Sequence, residues 1–156
     1  MKTTVLLVDD NRIVIEGIRS HLSNEKEFSI VGEATDGLEA IDLVLKLKPD
    51  LVIMDISMPN MNGIDATREI LSFNPKIKVI ALSVHSEWAY VADMIESGAS
   101  GYLLKDHLLE GLLKAIKIVL KNGIYISEEV NGWDAKLVWE GLQKKQNKTD
   151  QSYENI

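Results

Sequence analysis

Leu51-Val52-Ile53-Met54-Asp55 is the stretch on which the fold turns. Its apolar run reads as a strand buried on both faces, as in a parallel sheet. An acid at the C-terminal end of such a strand stands where open α/β sheets place their ligands. A polar, turn-forming segment follows, Ser57-Met58-Pro59-Asn60-Met61-Asn62-Gly63. A second apolar run, Val5-Leu6-Leu7-Val8, closes in Asp9-Asp10. With these strands adjacent and parallel, three carboxylates meet at one edge of one sheet.

Outward from there the pattern alternates. Strands are expected at 4–8, 28–34, 50–55, 77–82 and 101–104, and helices at 11–23, 37–47, 64–73, 87–97 and 107–121. The helices carry helical apolar spacing, as in Leu38, Ile41 and Val44-Leu45 or Val91 and Met94-Ile95. Asp36-Gly37, Pro49-Asp50, Asn74-Pro75 and Ser97-Gly98 punctuate the joints. Strict alternation of this kind implies an α/β fold, a five-stranded parallel sheet doubly wound by five helices. The fifth helix has an unusually wide apolar stripe, from Leu108 and Leu109 through Leu112-Leu113, Ala115, Ile116 and Ile118 to Val119-Leu120. It is either buried more deeply than its neighbours or carries a second apolar face for a partner or for the tail.

Composition sets bounds. The chain has 156 residues, 46% of them hydrophobic, enough for one domain with an appendage. No apolar run approaches the roughly 18–20 residues that span a bilayer, and the N-terminus lacks a signal-peptide pattern. With no cysteine, disulfide scaffolds and thiolate metal sites are excluded. These features favour a bacterial-type cytoplasmic protein with no membrane partner. A net charge of −7 argues against nucleic-acid binding by this stretch alone.

The acids set the chemistry. Two carboxylates about 5 Å apart repel by roughly 3 kcal/mol at an effective dielectric near 20, and three raise one another's pKa unless a cation compensates. Hard oxygen ligands with access to water suit Mg²⁺, and a site without cysteine and poor in histidine does not suit zinc. Taken alone, Asp9-Asp10-Asn11 reads as the cap of the first helix; Asp55 at the same edge weakens that reading. Two further strand ends agree: Val79-Ile80-Ala81-Leu82 runs into Ser83, and Gly101-Tyr102-Leu103-Leu104 into Lys105. Acid, acid, hydroxyl and amine form one coherent set for phosphoryl chemistry. The metal and Lys105 neutralise oxygens, Ser83 donates a hydrogen bond, and one carboxylate attacks.

Val8-Asp9-Asp10, Met54 through Gly63, Ala81-Leu82-Ser83 and Tyr102-Leu103-Leu104-Lys105 occur in order over residues 3–122. In this the chain resembles a response regulator receiver domain of two-component signalling, with its flavodoxin-like (βα)5 fold. Ser83-Val84-His85, Gly98-Ala99-Ser100-Gly101-Tyr102 and Lys105-Asp106 most resemble the NarL/LuxR type. The resemblance implies that Asp55 takes a phosphoryl group from a sensor histidine kinase. It implies Mg²⁺ on Asp10, Asp55 and the Ser57 backbone carbonyl, with Asp9 acting largely through water. Lys105 pairs with the phosphoryl group, Ser83 is the switch hydroxyl, and Tyr102 is the switch aromatic that turns inward. Ser57 and His85, two residues past Asp55 and Ser83, flank the phosphoryl group and modulate its lifetime. The surface that changes is the fourth helix, fifth strand and fifth helix. A signalling switch of this kind is not a turnover enzyme on external substrates. Where many receivers have proline after the lysine this chain has Asp106, so a trans bond and a differently shaped loop are expected. His21 and His107 read as surface residues.

After Ile126 the character changes. Residues 1–126 are read as the receiver and 127–156 as a helical extension, with apolar spacing over 130–142, followed by a polar linker. NarL/LuxR-type regulators usually carry a helix-turn-helix DNA-binding domain after such a linker, so DNA contact is expected only through a C-terminal domain absent from these residues. The alternative is a natural single-domain receiver acting through protein contacts, and a receiver that works without phosphorylation is a third reading. The helices most suited to a homodimer are the first and fifth, or the extension itself. An aspartate-nucleophile phosphatase would want a second acid where Ser57 stands. A dinucleotide-binding module would want glycines where Asp9-Asp10-Asn11-Arg12 stands.

Overall fold

The structure is a computed structural model and describes residues 2–130. The helical extension expected at 130–142 and the linker after it therefore lie, save for Val130, outside the described residues. The elements are β1 (Thr3–Val8), α1 (Arg12–Leu22), β2 (Phe28–Ala34), α2 (Gly37–Leu47), β3 (Leu51–Asp55), α3 (Gly63–Phe73), β4 (Lys78–Ser83), α4 (Trp88–Ser97), β5 (Gly101–Leu104), α5 (Leu108–Leu120) and β6 (Tyr125–Ile126), with a 3₁₀ turn at Lys105–His107. The five strands and five helices expected from the sequence are all present, each within one residue or so of the expected bounds.

The sheet differs from expectation by one strand. It has six, in the order β2-β1-β3-β4-β5-β6, and every pairing is parallel. β6 contributes only Tyr125↔Gly101 and Ile126↔Tyr102. Two residues carry no period-2 signal, so a strand this short is invisible to pattern reading. Its effect is structural: β5 is a paired strand, not an edge.

Two cores lie on opposite faces of the sheet. Leu6, Val8, Val52 and Met54 point to the α2, α3 and α4 side. Val5, Leu7, Leu51 and Ile53 point to the α1 and α5 side. The alternation of side chains along each strand serves both layers, which is why β3 reads as apolar throughout. The strand order reverses between β1 and β3, so the crevice beyond their carboxyl ends is a topological switch point. Helices entering at that edge are capped by their own residues: Asn11 accepts the Ile13 N–H, Asp36 the Glu39 N–H and Asn62 the Asp65 N–H. α5 settles its ambiguity mostly as depth. Leu108, Leu112, Ala115, Ile116 and Val119 are buried, while Leu109 stays exposed.

Candidate functional site

Asp9 follows β1 and Asp55 ends β3, and the two strands pair with Val8 opposite Met54. Ser83 ends β4, with Leu104, the residue before Lys105, opposite it. The fold therefore delivers all four side chains to one edge. Asp9 and Asp55 are buried and Asp10 is exposed beside them. Lys105 Nζ lies 2.9 Å from Asp9 Oδ2 and 3.1 Å from Asp55 Oδ1. Asp9 Oδ1 accepts the Asn11 backbone N–H at 2.8 Å. Its buried Oδ2 meets Lys105 as an ion pair but has no well-aligned hydrogen bond.

Burial and then the neighbouring Asp9 charge push Asp55 up to about 6; Lys105 and the Ser57 backbone N–H pull in the other direction. For Lys105 burial opposes the charge, yet Asp9 and Asp55 outweigh it and hold the ammonium above its ordinary value. Among the described residues Lys105 pairs with Asp9 and Asp55, while Asp10 joins the same cluster, which leaves the three acids short of positive charge.

On the other side of the site Ser83 and Tyr102 both meet the backbone of His85. Ser83 Oγ, buried, accepts the His85 N–H at 2.9 Å. Tyr102, fully buried on β5, donates its phenol to the His85 carbonyl at 2.7 Å. The aromatic expected to be a switch thus occupies an inward position. The His85 ring stacks on Tyr90 of α4, centroids 3.9 Å apart and planes 6° from parallel. The Lys105–Asp106 bond is trans and the chain there enters the 3₁₀ turn, as the lack of proline led us to expect. His21 and His107 are half-buried and stand apart from the acids; His107 faces Glu110 and Glu129.

The loop after β3 is pinned rather than loose. Ile56 N–H donates to the Leu82 carbonyl, Gly63 N–H to Ile56 and Gly37 N–H to Met61. Asn60, at φ 66°, donates to Asp36. Gly63 is required by space: a Cβ there would sit 2.0 Å from the Asp55 carbonyl oxygen. Ser57, in this loop, is exposed.

One oxygen from each of Asp9, Asp10 and Asp55 lies within 4.8 Å of the others. The donors are hard oxygens, one acid is open to water, and Asp9 Oδ2 lacks an aligned donor. That set fits a small divalent cation that keeps part of its water shell.

Comparison with known proteins agrees with this geometry. The model of the response regulator receiver domain matches residues 5–117. The chain belongs to this family. A transcriptional regulatory protein DegU from Brevibacillus brevis is 40% identical over 129 residues, 83% of this chain and 55% of DegU. Protein CcdB from Bacillus subtilis (strain 168) is 44% identical over 118 residues, 76% of this chain and 98% of CcdB. Among solved structures, a two-component response regulator of the LuxR family from Aurantimonas sp. SI85-9A1 superposes with a TM-score of 0.79 at 30% identity, covering 91% of this receiver and 99% of that chain. The NarL/LuxR resemblance read from the sequence therefore holds. This receiver spans only about half of DegU's length.

Two participants carried no sequence signal that we read. Tyr90 passes in a sequence as one more helical aromatic, and its stack on His85 depends on where the β4–α4 loop returns. Ser127 sits beyond the last long element; its hydroxyl accepts the Leu104 N–H at 2.9 Å, next to Lys105. The run Ile124-Tyr125-Ile126-Ser127 between Gly123 and Glu128 was the available hint.

Proposed function

We propose that this receiver is a phosphorylation-dependent switch in which Asp55 accepts a phosphoryl group from a sensor histidine kinase. The observation that carries this reading is Lys105 Nζ bridging buried Asp9 and Asp55, with exposed Asp10 alongside. An Asp55 oxygen attacks phosphorus, the P–N bond of the donor phosphoimidazole breaks, and the departing imidazole nitrogen takes a proton. The product is an acyl phosphate on Asp55. Mg²⁺, held by Asp9, Asp10, Asp55 and the Ser57 carbonyl, would supply charge stabilisation for the transferred oxygens. Lys105 supplies a second positive charge at the same place. Ser83 reorients from the His85 N–H toward the phosphoryl oxygens and donates to them. Ser57 and His85 flank the group and tune its lifetime. The step is used once per signal, so the protein is a switch rather than an enzyme on external substrates.

The surface that responds is α4, β5 and α5, because Ser83 and Tyr102 both bond to His85, whose ring rests on α4. The output we favour is dimerisation through α1 and α5 or the C-terminal extension. In a longer cytoplasmic protein this would control a DNA-binding transcription-regulator domain, as DegU's description as a transcriptional regulator suggests. CcdB, matched over 98% of its length, favours a second reading in which a receiver of this size works alone through protein contacts.

The test is Mg²⁺-dependent labelling with a small phosphodonor, followed by mapping of the modified residue. Labelling of Asp55, lost in Asp55→Asn and on chelation, is expected. Undiminished labelling of that variant overturns the assignment.

A further inference from the structure

The segment after α5 is built into the strand that carries the switch. Tyr125 N–H donates to the Ser100 carbonyl at 3.1 Å and Ser127 N–H to the Tyr102 carbonyl at 2.9 Å. β6 ends at Ile126, so the next inward-facing group of β5, the Leu104 N–H, has no strand beside it. Ser127 Oγ fills that rung from its side chain, accepting Leu104 N–H at 2.9 Å while itself only 3% exposed. One residue therefore grips β5 twice, on the backbone of the switch aromatic and on the residue before Lys105. Two neighbours extend the grip. Val130, whose N–H donates to the Ser127 carbonyl, is buried in the core that contains Tyr102, Leu104, Val91 and Ile95. Glu129 faces His107 in the turn that follows Lys105.

We infer that Ser127 is a positioning residue for the phosphorylation site, and that through it residues 124–130 are coupled to occupancy at Asp55. This rests on the roles of Asp55 and Lys105 given above. The physical argument is continuity. Lys105 is the next residue after Leu104, so a Leu104 amide fixed from the β6 side fixes the backbone from which the Lys105 side chain leaves. A buried N–H without an acceptor is strongly disfavoured, so any displacement of β5 must either carry Ser127 along or break the bond. Coupling of this kind is reciprocal: what orders 124–130 favours the occupied site, and occupancy orders 124–130. The segment lies where the chain passes toward residues beyond the receiver, so it is the path by which the site reaches them.

The experiment is amide hydrogen exchange on the full chain with and without beryllofluoride and Mg²⁺, a phosphoryl mimic whose arrival is read at residues 55–63. Native protein should show roughly fivefold added protection at Leu104 and 124–130, the low end of usual coupling. In Ser127→Ala that response should vanish, and the half-saturating beryllofluoride concentration should rise by a similar factor. Ser127→Thr, which keeps the hydroxyl, should restore both. A purely structural serine would speed exchange equally in the free and bound states and leave beryllofluoride affinity unchanged, which overturns the proposal. So does native protein that binds the mimic at 55–63 without any response at 124–130, a result independent of how the alanine variant folds. Absence of a response at 55–63 would instead remove the phosphorylation reading of Asp55, and this coupling with it.

Discussion

The phenol of Tyr102 donates to the carbonyl oxygen of His85 at 2.7 Å, tying the fifth strand to the loop after the fourth. The His85 N–H is used at the same time by Ser83 Oγ. The backbone of His85 thus stands between a hydroxyl at the acid cluster and an aromatic in the core. Burial pushes the phenol up to about 12, so it remains a donor throughout the neutral range.

Tyr102→Phe keeps the ring and removes that bond. It should cost about 1 kcal/mol, the usual net worth of a hydrogen bond, and loosen the His85 loop. Tyr102→Ala opens a cavity in a fully buried site and should cost about 3–5 kcal/mol. Urea midpoints measure both. A Phe variant as stable as the native protein, with unchanged exchange at His85, would show the bond to be idle.

Asp55 predicts a pH dependence for the protein without divalent cation. Its folded value of about 6 lies above the ordinary 3.8, because burial and Asp9 disfavour the charge. A raised acid binds its proton more tightly in the native state, so its cost is fully present above about 6 and disappears as pH falls to the ordinary value. Metal-free native protein should therefore gain stability on mild acidification, by at most about 3 kcal/mol from this group. Asp55→Asn should be the more stable at neutral pH and should lose that advantage at acid pH. Thermal melts across the range check this; parallel profiles for the two proteins would refute it.

Much of this was legible in the sequence, for identifiable reasons. The two-sided burial of β1 and β3 leaves unbroken apolar runs, so Asp9 and Asp55 stand out at their ends. Asn11 and Asp36 stand at joints visible in the sequence because a short polar side chain there accepts a backbone N–H of the helix it opens. What was hidden depends on contacts between segments distant in sequence. Ser127 and Leu104 are 23 residues apart, and nothing in a serine announces that it completes a strand ladder. The two residues of β6 become a strand only because β5 offers them backbone groups. Lys105 was expected to meet a phosphoryl group; its place between Asp9 and Asp55 follows from the register of β1, β3 and β5.

Lys105→Ala should make the dependence on metal visible. It removes the cation that faces two buried carboxylates, and breaking a buried pair costs about 3–5 kcal/mol. Mg²⁺ can replace part of the lost charge, so the variant should gain more in melting temperature from added Mg²⁺ than the native protein does. Equal gains would mean that the cation does not sit among these acids. Phosphodonor labelling of the variant should fall sharply while the mapped residue stays Asp55.

Exposed apolar residues lie on the face proposed for a dimer. Ile13 on α1 is 83% exposed and Leu109 on α5 is 62% exposed, at the first turns of two packed helices that begin at the same sheet edge. Replacing either with lysine puts a charge into any interface formed there. Self-association in the presence of beryllofluoride should weaken by about tenfold or more, a change near 1.4 kcal/mol, with the monomer fold unchanged. Sedimentation equilibrium is the measurement. An association constant insensitive to both substitutions would move the interface elsewhere.

Two glycine substitutions should have opposite signs. Gly17 lies within α1, and a Cβ added there meets nothing within 4 Å. Gly17→Ala should stabilise the protein by roughly 0.5–1 kcal/mol, because alanine restricts the unfolded chain and favours the helix. Gly63 opens α3, and its added Cβ would lie 2.0 Å from the Asp55 carbonyl oxygen, 2.9 Å from its carbon and 3.0 Å from a Met54 side-chain atom. Backbone cannot yield as a side-chain tip can. Gly63→Ala must therefore push the start of α3 away from the end of β3 and strain the Gly63 N–H bond to Ile56. The variant should lose stability and label more slowly, because the displaced backbone is that of Asp55, the proposed phosphoacceptor. Comparing labelling rates of the two variants at matched folded fraction separates the local effect from the global one. A Gly63→Ala protein that labels at the native rate would show that Asp55 tolerates movement at its own carbonyl.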